Sequence, residues 1–245
     1  KSLILTEAGL DLLEHARQMG AAADALALAA SGRSQAIEGM VTISASDGIS
    51  AFLLPAILAR VRREAPLVTV EVVSSNAISD LRRREADIAV RHVRPDQPDL
   101  IARLLRDATA RLYASQDWVA RNGMPKCLDD LATCDFIGFD QSDRFISHLR
   151  GLGMPLTRDN FRLISENSVV VWEMMKQGLG ISVMMSEMAE RTPGIVAILP
   201  ELPPITFPIW LVTHRELHTS RRIRVVFDIL AEELGRSPAT TPDRP

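Results

Sequence analysis

The sequence predicts a two-lobed α/β fold preceded by a long helix. Three observations carry this. Residues 6–30 contain no proline and place apolar side chains at heptad-like steps. Residues 40–91 read strand, helix, strand, helix, strand, the order that builds a parallel sheet with helices on its faces. From about residue 109 a second run of short strands and helices follows. The 245 residues leave room for one large domain or two smaller ones. With 47% hydrophobic and 24% charged residues, the chain is neither disordered, collagen-like nor a disulfide-stapled miniprotein.

The first segment is rich in alanine and leucine. Leu12, Ala16, Met19, Ala23, Leu26 and Ala30 form one apolar seam. Thr6 supplies an N-cap, Glu7 suits the positive end of the helix dipole, and Gly32 ends the helix. About 25 residues at about 1.5 Å each give a rod of roughly 37 Å. Such a seam either folds onto its own domain or pairs with another copy, and the small alanine side chains favour pairing.

After a linker over residues 31–38, residues 40–45 alternate as a strand does. Residues 50–64 read as a helix with Leu53, Leu54, Ile57, Leu58 and Val61 inward. Pro55 is tolerated only in a first turn, which places the regular start near Ala51 or Phe52. Pro66 stops it. Strands follow at 68–73 and 87–91, with a short helix at 78–85 between them, and further strands at 100–105 and 110–114. In the second lobe, helical turns at 117–122 and 128–132 precede a strand at 136–139 and a helix at 144–152. A strand at 161–164 leads to a helix at 168–177. Gly178 and Gly180 flank a turn into a strand at 181–185. This Gly-x-Gly follows a helix and precedes a strand, the reverse of a dinucleotide fingerprint, and reads as a C-cap and turn. Strands at 195–199 and 209–213 lead to a last helix at 218–234, facing inward through Ile223, Val226, Phe227, Leu230 and Leu234. Three prolines in residues 236–245 mark a disordered tail.

The formal charge of −3 lacks the basic excess that phosphate contacts demand of a stand-alone nucleic-acid-binding domain. The run Arg82-Arg83-Arg84 sits beside Glu85 and Asp87 and reads as a solvated face. Cys127 and Cys134 are too few for a disulfide framework or an all-cysteine zinc site, and no basic setting activates either thiol. No apolar run reaches the roughly 18 residues of a membrane span, and no signal peptide opens the sequence, so a cytoplasmic location is expected. His15, His92, His148, His214 and His218 show no metal-ligand spacing, and no nucleophile elbow or Walker loop occurs. No enzyme, cofactor or metal is expected.

Polar residues instead gather where strands end and helices begin. Ser44, Ser46, Asp47 and Ser50 surround the exit of the first strand, where unpaired N–H groups of a helix N-terminus bind anions or carbonyls. Ser74, Ser75 and Asn76 follow the second strand, and Arg91 and His92 end the third. Asp140, Gln141 and Ser142 follow a strand of the second lobe, and Glu166, Asn167 and Ser168 lead into a helix. Each cluster alone is more often a cap or turn. Together they line the carboxyl ends of the strands, where open α/β sheets hold ligands. Asp47 either pairs with Arg91 or favours a ligand carrying a donor.

Several segments resemble those of LysR-type transcriptional regulators. Residues 2–10, Ser-Leu-Ile-Leu-Thr-Glu-Ala-Gly-Leu, are similar to the wing strand and start of the linker helix that end the family's winged helix-turn-helix domain. Residues 39–46 with Leu54-Pro55 and Ala65-Pro66 resemble the opening of its effector domain. Residues 81–90 resemble its Leu…Gly-x-Leu-Asp-Ile-Ala-Val segment, with Glu85 where glycine is usual. Residues 176–182 resemble its second-lobe turn, followed by Met184-Met185 where Leu-Pro is frequent. The resemblance spans roughly residues 2–235.

It implies a periplasmic-binding-protein-like (type 2) α/β effector domain preceded by a long linker helix. Residues 1–5 are then a remnant of the wing, and the two DNA-reading helices are absent. Residues 6–31 are the dimerisation helix and 39–235 the effector-binding domain. Lobe I takes 39–108 and 209–235, lobe II 109–208, joined by crossovers near 106–115 and 203–210. A small polar or acidic effector would contact Ser46, Asp47, Arg91, His92, Asp140, Gln141, Asn167 and Ser168. Ser46 would donate to it and Arg91 would neutralise its carboxylate. The implied partners are promoter DNA, through the family's N-terminal domain, and further copies of the chain in a homodimer or homotetramer, with no membrane. An extracytoplasmic solute-binding protein of a transporter is the alternative, distinguished by an export signal and a monomeric state.

Overall fold

The computed structural model describes residues 36–76, 86–139 and 143–236. The wing remnant, the dimerisation helix, the 78–85 helix with its arginine run, Asp140, Gln141, Ser142 and the tail from residue 237 lie outside the described residues.

Strand β1 (Gly39–Ala45) lies between β2 (Val68–Ser74) and β3 (Ile88–Arg91), parallel to both. Helices α1 (Asp47–Phe52) and α2 (Leu54–Glu64) fill the β1–β2 crossover. The 50–64 helix expected from sequence is thus two helices, beginning at Asp47. Pro55 lacks the N–H that would continue the ladder, so the chain breaks at Leu53 and restarts with proline in the first turn. The inner face is Leu54, Ile57 and Val61, as its spacing requires.

The strands expected at 100–105 and 110–114 are one, β4 (Leu100–Ser115), carried past a bulge between Leu104 and Arg106. The helices and strands of the second lobe then run α3 (Gln116–Asn122), β5 (Ile137–Gly138), α4 (Asp143–Gly151), β6 (Leu163–Ile164), α5 (Ser168–Lys176) and β7 (Ser182–Met185). A helix not anticipated from sequence, α6 (Ser186–Glu190), precedes β8 (Ile195–Ile198). Five residues hold too little periodicity to announce a helix. Strand β9 (Ile205–His214) returns antiparallel to β4 over ten residue pairs and antiparallel to β3. Helix α7 (Arg221–Gly235) closes the chain, starting three residues later than expected because Leu217–Thr219 form a separate 3-10 turn.

The main sheet has the order β2-β1-β3-β9-β4-β7, with β8 also on β4. Strand β9 pairs with β4 up to Ala110 and β8 takes over from Leu112. Thus β4 and β9 run through both halves of the molecule. Pro208 falls where β9 has left β3 and keeps only β4 as a neighbour, so its missing N–H breaks no ladder on the β3 side.

Among the described residues two large apolar clusters flank this ribbon, beside a small third at Ala89, Leu100 and Val212. One gathers β1, β3, the inner faces of α2 and α7, and Val171, Trp172 and Met175 of α5. The other gathers the end of β4, Trp118, Leu131, Phe136, Leu149, Phe161 and Ile181. Phe139 and Phe207 pack against both. The turn after α5 needs its glycines. Gly178 has φ +71 and donates to the Met175 carbonyl, and a Cβ on Gly180 would stand 2.9 Å from the Asp135 carbonyl oxygen.

Candidate functional site

A cleft of about 690 Å³ opens where the two clusters meet, within the size range of small-molecule sites. Its walls are apolar: Ile49, Ala110, Phe139, Val183, Met184, Met185, Met188 and Phe207. Its polar groups are Ser46, Asp47, Asn76, His92, Glu166 and Ser168. These come from the ends of β1, β2 and β3 on one side and the start of α5 on the other. A second cavity of about 450 Å³ adjoins it, sharing Ser46, Asn76 and His92 and bordered by Arg91 and residues 93–97.

Asp47 is the centre of the polar end. It is 6% exposed and begins α1. Its Oδ1 accepts from Gly48 N at 2.7 Å and from the Ser168 hydroxyl in a short bond. Its Oδ2 accepts from Ser168 N at 2.6 Å and Asn76 Nδ2 at 3.0 Å. Asn76 Oδ1 accepts from Asp47 N at 3.2 Å, and its Nδ2 also donates to the Glu166 carbonyl at 2.8 Å. One carboxylate therefore fastens α1 to the N-terminus of α5 across the cleft. Residue 48 is glycine, and a Cβ there would press on Met188 Cε at 3.0 Å and on Ser168 Oγ at 3.1 Å, so the close approach suits a glycine.

His92 links the two cavities. Its Nδ1 lies 3.4 Å from the Pro208 carbonyl oxygen and its Nε2 lies 3.4 Å from Ser46 Oγ. A carbonyl only accepts, so Nδ1 carries the proton and Nε2 accepts the Ser46 hydroxyl hydrogen. The Ser46 hydroxyl hydrogen is thus directed to His92, while the sequence reading had it donate to an effector. Burial pushes the His92 imidazole below its usual value; the Pro208 bond opposes this and the Arg91 charge adds to it. The unfolded chain takes up this proton near pH 6.5 and the folded chain only at lower pH. Stability from this residue is therefore complete above pH 6.5 and falls as pH drops below it. His92→Gln should flatten the decline of melting temperature between about pH 6.5 and 5; an unchanged pH profile would discount the buried neutral imidazole.

Of the residues singled out from sequence, Ser46, Asp47, His92 and Ser168 line the cleft together. Asp140 and Gln141 lie outside the described residues. Asn167 is diverted: its Oδ1 accepts from Val169 N at 2.9 Å and Val170 N at 3.1 Å, capping α5. Arg91 is also diverted. It is 8% exposed, its Nη1 donates to the Ser44 and Val90 carbonyls, and its Nη2 donates to Ser44 Oγ at 2.6 Å. It borders the adjoining cavity, and the carboxylate of Asp47 is satisfied without it. Residues 76 and 166 carried a strand-end signal. Phe207 and Met188 carried none, because they reach the cleft only through β9 and the unanticipated α6.

At the bulge of β4, Arg106 Nη2 meets Glu187 of α6 at 2.5 Å and Arg106 Nε donates to the Leu234 carbonyl at 2.8 Å. This pair fixes α6, and with it Met188, to α7. Among the described residues no group of three or more His, Cys, Asp or Glu could hold a metal ion, and no helix is long and apolar enough to cross a membrane.

A family model described as LysR substrate binding domain matches residues 34–235. The HTH-type transcriptional regulator CrgA of Neisseria meningitidis serogroup B is 25% identical over 246 residues, covering 97% of this chain and 81% of that protein. The HTH-type transcriptional regulator PtxR of Pseudomonas aeruginosa is 27% identical over 209 residues, covering 82% of this chain and 66% of that protein. Among solved structures, the CrgA regulatory domain superposes with a TM-score of 0.72 at 23% identity, covering 80% of this chain and 99% of that one. The full-length Vibrio cholerae virulence activator AphB does so with a TM-score of 0.72 at 19% identity, covering 94% of this chain and 81% of that one. At these identities the structures speak for the fold.

Proposed function

The chain belongs to the LysR family of transcriptional regulators, with the family's substrate-binding domain over residues 34–235, and we propose that this domain senses a small molecule held in the cleft between its lobes. The supporting observation is the cleft itself: apolar walls with a few convergent polar groups, drawn from strand ends and from a helix start. Lobe I comprises residues 39–108 and 209–235, and lobe II comprises 109–208. Occupancy of the cleft shifts their relative position, because a ligand favours whichever arrangement it binds more tightly. That shift alters the packing of copies in a homodimer or homotetramer. Through the dimerisation helix it alters how the family's DNA-reading domains sit on a promoter. Coupling of this kind is typically worth about 1–3 kcal/mol.

A thermal-shift screen of small metabolites against the chain tests this, since a ligand of the folded state raises the melting temperature. Hits should be lost in Gly48→Val, whose side chain invades the α1–α5 contact, while its circular dichroism stays that of the parent. Hits that persist unchanged in Gly48→Val would place the ligand elsewhere and overturn the reading.

A further inference from the structure

Resting on the effector-binding reading above, we infer that the cleft selects ligands with an apolar body and an uncharged or cationic hydrogen-bond-donor head, and that Asp47 rejects carboxylates. The start of α5 is the natural seat for an anion, since its N–H groups point outward and carry the positive end of the helix dipole. Here the chain has already filled that seat. Asp47 accepts from Ser168 N and the Ser168 hydroxyl, and Asn167 accepts from Val169 N and Val170 N. No amide of that first turn is left for a ligand oxygen.

The remaining polar surface is rich in acceptors. Glu166 lines the cleft and is exposed, Asp47 lines it with its negative charge, and Ser46 offers lone pairs because His92 takes its hydrogen. Among the described lining residues none is lysine or arginine, and the Arg91 Nη groups point back to Ser44 and Val90. A ligand carboxylate would meet two like charges in an apolar setting with no counter-charge among the described lining residues, which is a strong device for exclusion. A hydroxyl, amide or ammonium would find acceptors at the polar end, and its hydrocarbon part would rest on Phe139, Phe207, Met184 and Met188.

The test uses matched amine, alcohol and carboxylate triples on straight-chain and phenyl bodies of six to ten carbons, titrated by calorimetry into the whole chain. Amines and alcohols should bind, and the matching carboxylates should bind at least about 10-fold more weakly. In Asp47→Asn, which keeps the size of the side chain and removes its charge but turns one acceptor oxygen into a donor, the gap should narrow to about 3-fold. Glu166→Gln, at an exposed position that cannot unfold the chain, should narrow it by a smaller factor. A carboxylate that binds as tightly as its amine or alcohol partner, or a gap that neither variant changes, overturns the inference. If that carboxylate is lost in Gly48→Val, the cleft still binds effectors and only the selectivity is wrong. If no triple binds, or all bind equally well in Gly48→Val, the effector-binding reading falls together with the inference.

Discussion

Asp47→Ala should reduce the unfolding free energy by about 3 kcal/mol: hydrogen bonds to a buried charged group are worth about 1.5–3 kcal/mol each, but removing the carboxylate also removes the cost of burying its charge. Four donors converge on this carboxylate, two of them backbone amides, and alanine leaves Gly48 N and Ser168 N without it. The loss is also mechanical. Asp47 is the group that ties α1 to α5 across the cleft, so the variant should scatter X-rays as a more open particle. Amides at the start of α5 should exchange their hydrogens faster. Ser168→Ala removes only the hydroxyl bond and should cost about 1.5 kcal/mol, at the low end of that range. Urea unfolding and scattering curves for Asp47→Ala that match the parent would show that the bridge holds nothing together.

Trp172→Ala should cost about 3–5 kcal/mol, the usual range for deleting a large buried aromatic. The side chain is fully buried, stands edge-on to Tyr113 with centroids 6.0 Å apart, and donates from Nε1 to Thr192 Oγ1 at 3.3 Å. Thr192 in turn donates to the Met188 carbonyl at 2.7 Å. Trp172 thus seats α5 on β4 and, through Thr192, reaches the end of α6, the two elements that present Ser168 and Met188 to the cleft. Urea unfolding should report the stability loss, and melting-temperature shifts by cleft ligands should shrink in parallel. Retained stability would mean that the surrounding side chains collapse into the space. Trp172→Phe keeps most of the apolar volume and should cost less than alanine.

The parts of this molecule legible in the sequence are those fixed by local chemistry. Pro66 and the alternation of residues 40–45 and 68–73 mark the parallel unit, and Gly178 marks the end of α5. The apolar spacing of Ile223 to Leu234 marks the buried face of the last helix. Polar residues where strands end and helices begin pointed to Ser46, Asp47, His92 and Ser168, which line one cleft, since such positions expose backbone groups that need partners. The parts that were not legible depend on competition between partners. Whether Arg91 faces a ligand or the Ser44 carbonyl is decided by the parallel neighbour β1, 47 residues earlier in the chain. Asn167 could have faced the cleft but caps its own helix, as local asparagines often do. The continuity of β4 past residue 105 follows from its long pairing with β9 and leaves no mark in its own residues.

The β4–β9 ribbon has a mechanical consequence. Two hydrogen-bonded strands resist stretching, since elongation would break their ladder, but they yield to twist, especially at a bulge such as the one at Leu104 and Arg106. This pairing therefore favours turning of the halves about a shared axle over drawing them apart. A ligand held in the cleft as proposed above would convert its grip into torque about that axle.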